Sequence, residues 1–435
     1  MNKKRVMVDM SATLIHHGHI RILKKASEYG EVIVGLTTDE EIRLKKGYEP
    51  EISFEHRKEI LMAIESVTDV VPTPWLIDES ILDKHKIDKL LHGDDNSNDI
   101  DKNRLEIIKR TKGISSSSIR KKAASSITQI KNKKLMLTPG PASILHDNLD
   151  YLGPMFGRGD DEYTEMSEKV IDWVRELSGQ DQVIYAQGSA TFGLELALHS
   201  FVKGKVLLIS TGYYSDRLER LLPPKCDISI CNYEELDGVQ GSYDWVLCAY
   251  TETSVAFKVD LDLVKKKSNS LKAKLFVDAT GSIGLEDFHE YADLMAFSSC
   301  KGLLGLTGAS FVAFKKSLLK QSLDKFYFNL DTHKEKMVTG PYHAIASLYG
   351  VIDNHDLYKK RIMNSKNYIL TKYKGIVRPS NQPALCTYLE GKLEALDDNI
   401  VLYSPRSELS GSVICHFGEI HTSSINLDKR IKVTC

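Results

Sequence analysis

The sequence predicts an α/β protein made of two α/β domains and a small α+β segment at the C-terminal end. Three observations predict this fold class. Short apolar runs typical of buried strands alternate with segments whose apolar residues repeat at helical spacing. A length of 435 residues suits two or three domains. A Ser- and Lys-rich stretch, followed by LTPGPA, interrupts the alternation and places a domain boundary near residues 128–134.

The first domain begins with a short apolar strand, RVMVD, followed directly by a turn and a helix. The helix is predicted because Ile20, Leu23 and Ala26 recur at helical spacing, with Gly30 as its stop. The next segments are predicted alternately as strand and helix: EVIVGLTT, HRKEILMAIESV, VTDVVPTP, DESILDKHKI and DKLLHGDD. This alternation predicts a parallel sheet with helices on both faces.

The second domain has the same alternation on a larger scale. Its predicted strands are QVIYAQ, KVLLIST, DWVLCAY, KLFVDAT, LMAFSSC and ASFVAF. They suit one large sheet, and the stretch after about residue 345 has the mixed pattern of a small α+β cap. We therefore predict domains at residues 1–130, 131–345 and 346–435.

Composition and charge exclude several classes of protein. A formal net charge of −1 and a pI near 6.9 give no basis for general nucleic-acid or anionic-membrane binding. No apolar run approaches the roughly 18 residues of a membrane span, and we expect no signal peptide. The seven cysteines are scattered without a CxxC pair, so neither a zinc site nor a disulfide framework is expected. We expect a cytoplasmic protein with reduced thiols.

The turn after the first strand carries two histidines around a glycine, in the segment His16–His19. A helix N-terminus offers free N–H groups and partial positive charge to a phosphate. Gly18 lets the backbone approach a ligand, and the imidazoles of His16 and His19 can donate to charge that develops on a transferred phosphoryl group. The alternative is a polar helix cap.

Three further segments accompany this turn: EHRK at 55–58, HGDD at 92–95 and RTKGISS at 110–116. With them, residues 5–122 resemble the glycerol-3-phosphate cytidylyltransferase family. That family belongs to the Rossmann-like HxGH nucleotidyltransferases, which carry HxGH, HRK, GDD and RTxGIST in this order. The resemblance implies transfer of CMP from CTP to a phosphorylated alcohol, with Mg²⁺, release of pyrophosphate and no covalent intermediate.

The resemblance also implies roles for particular residues. His16 and His19 would stabilise the α-phosphoryl transition state, and Lys45 or Lys46 would contact triphosphate or the acceptor phosphate. Arg57 would contact the acceptor or the nucleotide phosphates, and Asp94 would contribute to the cytidine and ribose pocket. Arg110, Ser115 and Ser116 would bind phosphates at another helix start.

One position of this domain departs from the family pattern. The family has an aspartate three residues before the first HxGH histidine, and here that residue is Thr13. If the aspartate helps to hold Mg²⁺, the metal would be bound more weakly or differently in this chain. We therefore assign no metal ligand in the protein.

The second domain carries a carboxylate and a lysine at successive strand ends, Asp278 and Lys301. Pyridoxal phosphate chemistry needs both: the lysine forms a Schiff base, and the aspartate keeps the pyridine nitrogen protonated. Upstream, the run 187–191 follows a strand and opens a helix, as a phosphate-binding loop does. Taken singly, the two residues could be a turn aspartate and a surface lysine.

Residues 135–345 resemble the class V aminotransferases of fold-type I, nearest to 2-aminoethylphosphonate–pyruvate transaminases. The resemblance rests on six segments: LTPGPA, GSATFGLELAL, GYYSDR, YTETSVAF, FVDATGSIG and SSCKGLLG. It implies that Ser189, Ala190 and Thr191 form the loop that binds the cofactor phosphate and that Tyr214 stacks on the cofactor ring. Thr253 would bond the 3-oxygen of the ring, Asp278 would pair with the ring nitrogen, and Lys301 would be the Schiff-base lysine.

Two features near the end of the chain bear on assembly and substrate. Thr339 matches a threonine that reaches the cofactor phosphate of the neighbouring subunit, which implies a homodimer or a higher homo-oligomer. Val413 stands where the family has an arginine for the substrate carboxylate. Either Arg378 or Arg406 takes that role, or the amino compounds are bound differently, or the domain is a lyase or decarboxylase.

The leading hypothesis is a bifunctional enzyme that acts on one small phospho- or phosphono-compound. The aminotransferase would exchange an amine between a donor and a keto acceptor to make, for example, aminoethylphosphonate, and the cytidylyltransferase would activate it for decoration of a surface polysaccharide or lipid. One alternative is a cytidylyltransferase for glycerol or another polyol phosphate beside an unrelated pyridoxal phosphate enzyme. Another is a non-catalytic dimerisation scaffold, against which the intact Lys301 and Asp278 argue.

Overall fold

The structure is a computed structural model. It describes residues 4–434 apart from 132–133, 154–155, 158, 322, 324, 379–380, 407, 419, 422–426 and 428–429. The chain divides into two compact units, residues 1–126 and 127–435. The predicted boundary at residue 130 lies in the same helix as this division, Ser116–Lys131, and both predicted boundaries stay predictions. Among the described residues, no helix has the length and apolar character needed to cross a bilayer.

The first unit is a five-stranded parallel sheet with helices around it. Its strands are β1 (Arg5–Met10), β2 (Glu31–Thr37), β3 (Asp69–Thr73), β4 (Lys89–Gly93) and β5 (Leu105–Ile108). Its helices are α1 (His17–Ser27), α2 (Asp39–Lys46), α3 (Phe54–Met62), α4 (Glu79–Lys84) and α5 (Ser116–Lys131). The strand order is β3-β2-β1-β4-β5, and each neighbouring pair is parallel.

This strand order creates a site for a ligand. The direction of winding reverses between β1 and β4, and such a reversal leaves a crevice outside the carboxyl ends of the two strands. Alternate residues of β1 face opposite helix layers: Val6 and Val8 lie in one apolar cluster with Leu23, and Met7 lies in another with Leu82. Burial on both faces fixes the strand, and with it the loops at its end.

The second unit is larger. In chain order, its strands are β6 (Leu135–Leu137), β7 (Gln182–Gln187), β8 (Lys205–Ser210), β9 (Asp227–Asn232), β10 (Trp245–Ala249), β11 (Thr251–Glu252), β12 (Phe257–Lys258), β13 (Lys274–Asp278), β14 (Leu294–Ser298), β15 (Ala309–Phe314), β16 (Cys386–Leu389), β17 (Lys392–Ala395), β18 (Ile400–Leu402), β19 (Ser412–Cys415) and β20 (Ile431–Thr434). Its α-helices are α6 (Asp161–Ser178), α7 (Ala190–Phe201), α8 (Tyr213–Leu221), α9 (Leu261–Ser270), α10 (Leu330–Lys334), α11 (Tyr342–Val351) and α12 (His355–Lys372). Short 3₁₀ helices cover Tyr233–Gly238, His289–Tyr291 and Ile352–Asn354.

A seven-stranded sheet forms the body of this unit, in the order β7-β15-β14-β13-β10-β8-β9. Strands β13 and β14 are parallel neighbours, so the loops that follow them lie at the same edge of the sheet. The C-terminal cap consists of small two-stranded pairs, among them β16 with β19. Strand β6 also joins the cap, because Leu135–Leu137 pairs with Ile400–Leu402.

Candidate active sites

A cleft of about 580 Å³ opens where the first sheet reverses its winding. It is lined by residues from the loops after β1 and β4 and from the start of α5. The predicted site residues that line it are His16, His19, Lys46, Arg110, Ser115 and Ser116. The structure therefore brings together six predicted residues that are spread over 101 positions of sequence, from His16 to Ser116.

The two histidines of the cleft bind the backbone of their own turn. The Nδ1 atom of His16 accepts from the Gly18 N–H at 3.2 Å, and Nδ1 of His19 accepts from the His16 N–H at 3.2 Å. A neutral imidazole whose Nδ1 accepts carries its proton on Nε2. Burial, with the charges of His16 and Arg110, lowers the pKa of His19 to about 4. The turn is thus both a helix cap and a pair of neutral Nε2–H donors.

Cations and hydroxyls surround these donors. Lys46 Nζ donates to Ser11 Oγ at 3.2 Å and lies 5.1 Å from the centre of the Trp75 ring. Arg110 is paired with Asp95 at 3.0 Å. The Ser115 hydroxyl accepts from the N–H of the third residue beyond it, at 3.0 Å, and so caps the start of α5. Such a combination of cations and a helix start suits phosphate groups.

In the second unit, the predicted aspartate ends strand β13 and the predicted lysine follows its parallel neighbour β14. Lys301 Nζ lies 5.6 Å from the centre of the Tyr214 ring. A Cβ atom added to Gly140, in LTPGPA, would stand 2.8 Å from Lys301 Cγ, so the backbone passes close beside the lysine. Asp278 is buried, and its Oδ2 lies 3.2 Å from Arg217.

Several polar groups around these residues have unused bonding capacity. Ser189 precedes α7, and its side chain makes no capping hydrogen bond, so it does not occupy the first N–H groups of that helix. Among the described residues, the buried hydroxyls of Thr251, Thr253 and Thr280 have no hydrogen-bond partner. Buried hydroxyls in proteins are nearly always bonded. This donor set, with Lys301 close by, fits a polar cofactor such as pyridoxal phosphate.

A buried glutamate orders the tyrosine that faces Lys301. The Glu252 carboxylate accepts from the backbone N–H groups of Tyr214 at 2.9 Å and Ser215 at 3.0 Å, and it also bonds Ser254. Burial raises its pKa. Sequence reasoning quoted its segment, YTETSVAF, without assigning it a role. The N–H groups of Tyr214 and Ser215 lie 38 and 37 positions away along the chain, so the sequence carries no local signal for these bonds.

The expected arginine position is apolar. Val413 is buried in β19, directly opposite Tyr388 of β16. Arg378 stacks over the Tyr388 ring at 4.1 Å and donates to the Val255 carbonyl at 3.3 Å. Arg406 instead donates to the Tyr213 hydroxyl at 2.7 Å. Both arginines thus lie against tyrosine rings, and their role in binding a substrate carboxylate stays a prediction.

Thr339 is exposed and lines a small cavity with Tyr163 and Tyr185, whose hydroxyls are 3.2 Å apart. Gln187, the first residue of the predicted phosphate-binding run 187–191, lines the same cavity. A single chain does not test a contact with a neighbouring subunit, so the predicted role of Thr339 stays a prediction.

Comparison with known proteins decides the family of the first unit. A family model described as cytidylyltransferase-like matches residues 12–136. Glycerol-3-phosphate cytidylyltransferase of Bacillus spizizenii is 40% identical over 128 residues, which cover 28% of this chain and 98% of that protein. The chain belongs to the cytidylyltransferase-like family. The first unit is called the cytidylyltransferase unit below.

The second unit has relatives of a different kind. 2-Aminoethylphosphonate–pyruvate transaminase of Rhizobium meliloti is 25% identical over 253 residues, which cover 51% of this chain and 66% of that protein. The chain thus spans just under two thirds of that relative. The crystal structure of an aspartate aminotransferase from Thermus thermophilus has the same fold, with a TM-score of 0.57 and 18% identity over 65% of this chain and 93% of that one.

These similarities confirm the predicted fold class, both family resemblances and the enzymatic character of the chain. A cytidylyltransferase is fused to a homologue of transaminases. The transaminase similarity also supports pyridoxal phosphate as the cofactor of the second unit.

Two predicted residues of the cytidylyltransferase unit lie elsewhere than expected. Asp94 is exposed and does not line the cleft, whereas its neighbour Asp95 lines it and pairs with Arg110. Arg57 is fully buried. Its guanidinium bonds the Ser11, Thr37 and Ile52 carbonyls and the Asp39 carboxylate, so its donors are directed into the protein and away from a phosphate.

Thr13, which stands at the position of the family aspartate, takes part in a hydrogen bond. It is fully buried, and its hydroxyl accepts from Arg120 at 2.8 Å. Arg120 also bonds Glu51 at 2.6 Å and lines the cleft. Sequence reasoning missed Arg120, together with the cleft residues Asp9 and Trp75, because none belongs to a recognised motif.

The buried contacts of Arg57 predict a large effect on stability. Arg57→Met is expected to lower the free energy of unfolding of the cytidylyltransferase unit by about 3–5 kcal/mol, because it leaves the Asp39 carboxylate unpaired. Hydrogen exchange of peptides from residues 4–126 measures this. Arg43→Met is the matched control, since Arg43 forms an exposed pair with Glu49, and it should cost less than about 1 kcal/mol. Equal protection in both variants would contradict the assigned structural role.

Proposed function

We propose that the two units catalyse consecutive steps on one small phosphorylated or phosphonylated compound. The second unit would form its amine, and the cytidylyltransferase unit would then transfer CMP to it from CTP. The observation that carries this proposal is the presence, in one chain, of a cytidylyltransferase cleft and of a unit that is similar to an aminoethylphosphonate transaminase and has Asp278 and Lys301 at the ends of neighbouring strands.

In the cytidylyltransferase unit, an oxygen of the acceptor would attack the α-phosphorus of CTP, and pyrophosphate would leave. The Nε2–H groups of His16 and His19 would donate to the charge that grows on the α-phosphoryl oxygens. Lys46 and Arg110 would bind phosphate groups, as would the start of α5 at Ser115 and Ser116. Positioning and charge stabilisation suffice, so no protein nucleophile is needed.

The residues present suit a Mg²⁺ ion held chiefly by the nucleotide. The hydroxyl of Thr13 is engaged by Arg120, and the described residues contain no group of three or more potential metal-ligating side chains. Mg²⁺ commonly binds through substrate phosphates with one or two carboxylates. When bound, it would neutralise charge on the triphosphate.

In the second unit, pyridoxal phosphate, when bound, supplies the electron sink that amine transfer requires. Ser189, Ala190 and Thr191 would hold its phosphate at the start of α7, and Tyr214 would lie against its ring. The Thr253 hydroxyl would bond the 3-oxygen, and Asp278 would keep the ring nitrogen protonated. Lys301 would hold the cofactor covalently and carry protons to and from the substrate carbon.

The transaminase relative is named for 2-aminoethylphosphonate and pyruvate, a reaction that consumes the amine. Consecutive action would require the reverse reaction, in which alanine gives its amine to the matching phosphono-aldehyde. The product would be a zwitterion with a phosphonyl group that the cytidylyltransferase unit can use. We further propose a cytoplasmic homodimer, with exposed Thr339 completing the partner's cofactor site, and a nucleotide-activated product used to decorate a surface polysaccharide or lipid.

Two observations favour a second candidate function. The cytidylyltransferase unit is 40% identical to a glycerol-3-phosphate cytidylyltransferase, and Val413 is buried at the position where the family resemblance leads us to expect the substrate arginine. The unit would then use a polyol phosphate, while the second unit would serve a separate reaction.

Pyrophosphate release from CTP distinguishes these functions. The acceptors are aminoethylphosphonate, ethanolamine phosphate, an amino-propanediol phosphate, glycerol phosphate and larger polyol phosphates, with mass detection of the nucleotide products. We expect the highest kcat/KM with an amine-bearing acceptor. A preference for glycerol phosphate would support the second candidate and contradict consecutive action.

A further inference from the structure

The cytidylyltransferase cleft contains a carboxylate with an unmet bonding requirement. Asp9 lies near the end of β1, lines the cleft and has a side chain only 10% exposed. Its Oδ2 accepts from Asn98 at 3.0 Å and lies 3.5 Å from His92 Nε2. Its Oδ1 is buried and has no hydrogen-bond partner among the described residues.

A negative charge at Asp9 is unexpected among the side chains that line the cleft. The cleft is otherwise lined by cations such as Lys46, Arg110 and Arg120, as a site for triphosphate and phosphoryl groups should be. The other carboxylate of the lining, Asp95, is paired with Arg110 at 3.0 Å. A buried carboxylate without a full set of partners is costly, and burial raises the pKa of Asp9. A positive group on a substrate would offset this cost.

The surroundings of Asp9 show where such a substrate would lie. Ser11 follows two residues later, at most about 7 Å along the chain. The Ser11 hydroxyl accepts from Lys46, and Lys46 stacks over Trp75. An anion site at Lys46 and a cation site at Asp9 thus lie a short molecule's length apart in the same cleft.

We infer that Asp9 selects the acceptor by binding its ammonium group while Lys46 binds its phosphoryl or phosphonyl group. The inference rests on the proposed function, since it requires an amine-bearing acceptor. It assigns Asp9 to specificity and leaves the transfer of CMP to the histidines. A role for Asp9 in binding Mg²⁺ predicts instead that every acceptor depends on it equally.

The test compares 2-aminoethylphosphonate with 2-hydroxyethylphosphonate in the full-length chain. In Asp9→Asn, kcat/KM for the amine is expected to fall by about 10- to 100-fold, chiefly through KM, because a charge-assisted hydrogen bond is lost. The value for the hydroxyl acceptor should change less than about threefold, the spread expected of a single uncharged contact. Asp95→Asn is the matched control and should affect both acceptors alike, since Asp95 acts through Arg110.

Two outcomes would overturn the inference. One is an equal loss with both acceptors in Asp9→Asn and also in Asp9→Ser, which indicates a metal-binding or structural role. The other is an unchanged preference for the amine in both variants. The wild-type enzyme reports separately on the proposed function: if it prefers glycerol phosphate to the amine, consecutive action fails whatever the variants do.

Discussion

His19→Ala is expected to lower the rate of CMP transfer by about 10²–10³-fold, the usual cost of removing one donor to a developing oxyanion. His19 lies beside His16, with ring centres 4.0 Å apart, and its Nε2 carries the proton because Nδ1 accepts from the backbone. Pyrophosphate release from CTP measures the effect. The absorbance of the cofactor in the second unit should be unchanged.

The neighbouring histidine provides a matched control. His17 is exposed and does not line the cleft, so His17→Ala should retain activity within about threefold, as is usual for a surface substitution. Wild-type turnover in His19→Ala would contradict the role of His19 as a donor to the α-phosphoryl group. An equal loss in His17→Ala would show that the alanine acts by disturbing the start of α1.

Lys301→Ala is expected to abolish amine transfer, with a loss of at least about 10²–10⁴-fold from proton transfer alone. The lysine lies over Tyr214 and beside Gly140. A readout independent of activity is borohydride reduction followed by mass mapping. The cofactor should remain attached to the peptide that contains Lys301 in the wild-type chain, and to no peptide in the variant.

Lys203→Ala serves as the control for this experiment, because Lys203 is exposed. It should keep both the adduct and the activity. Attachment of cofactor elsewhere in Lys301→Ala, with amine transfer retained, would contradict the role of Lys301. If the wild-type chain does not take up the cofactor, the result would support the alternative that the second unit is a non-catalytic dimerisation scaffold.

The strands that could be predicted were those with apolar, buried cores. All four predicted strands of the first sheet are present, but β5 was missed, as was β9 in the second unit. Both are edge strands, and both leave an isoleucine exposed, Ile107 and Ile230. Position at an edge does not by itself hide a strand, because the edge strands β3 and β7 were predicted. In β5 and β9 the exposed isoleucines put an apolar residue on the solvent side, which blurs the alternation of apolar and polar residues.

The candidate sites could be predicted where a motif lies at the end of an element. His16, His19, Asp278 and Lys301 follow or precede an identifiable strand or helix, so the sheet order determines their position. Arg57 could not be placed in this way. Its HRK motif suggested a phosphate contact, but its partners come from the loop after β1, the end of β2 and the loop before α3, and they are brought together only by folding.

The same limit applies to Asp9 and Asp95. The choice between Asp94 and Asp95 depends on which side chain the turn after β4 directs into the cleft. Asp9 sits within an apolar strand, where an acidic residue has no local explanation. Such a conflict between a residue and its element is a sequence signal for function.

The most direct test of consecutive action follows one nitrogen atom through both units. The full-length chain is given ¹⁵N-alanine, phosphonoacetaldehyde and CTP, and the nucleotide products are analysed by mass. We expect a cytidylyl ester of aminoethylphosphonate that carries ¹⁵N. Labelled aminoethylphosphonate should accumulate in His19→Ala, and no label should leave alanine in Lys301→Ala. If the wild-type chain forms no labelled nucleotide, yet converts glycerol phosphate to its cytidylyl derivative, the two units do not act in sequence.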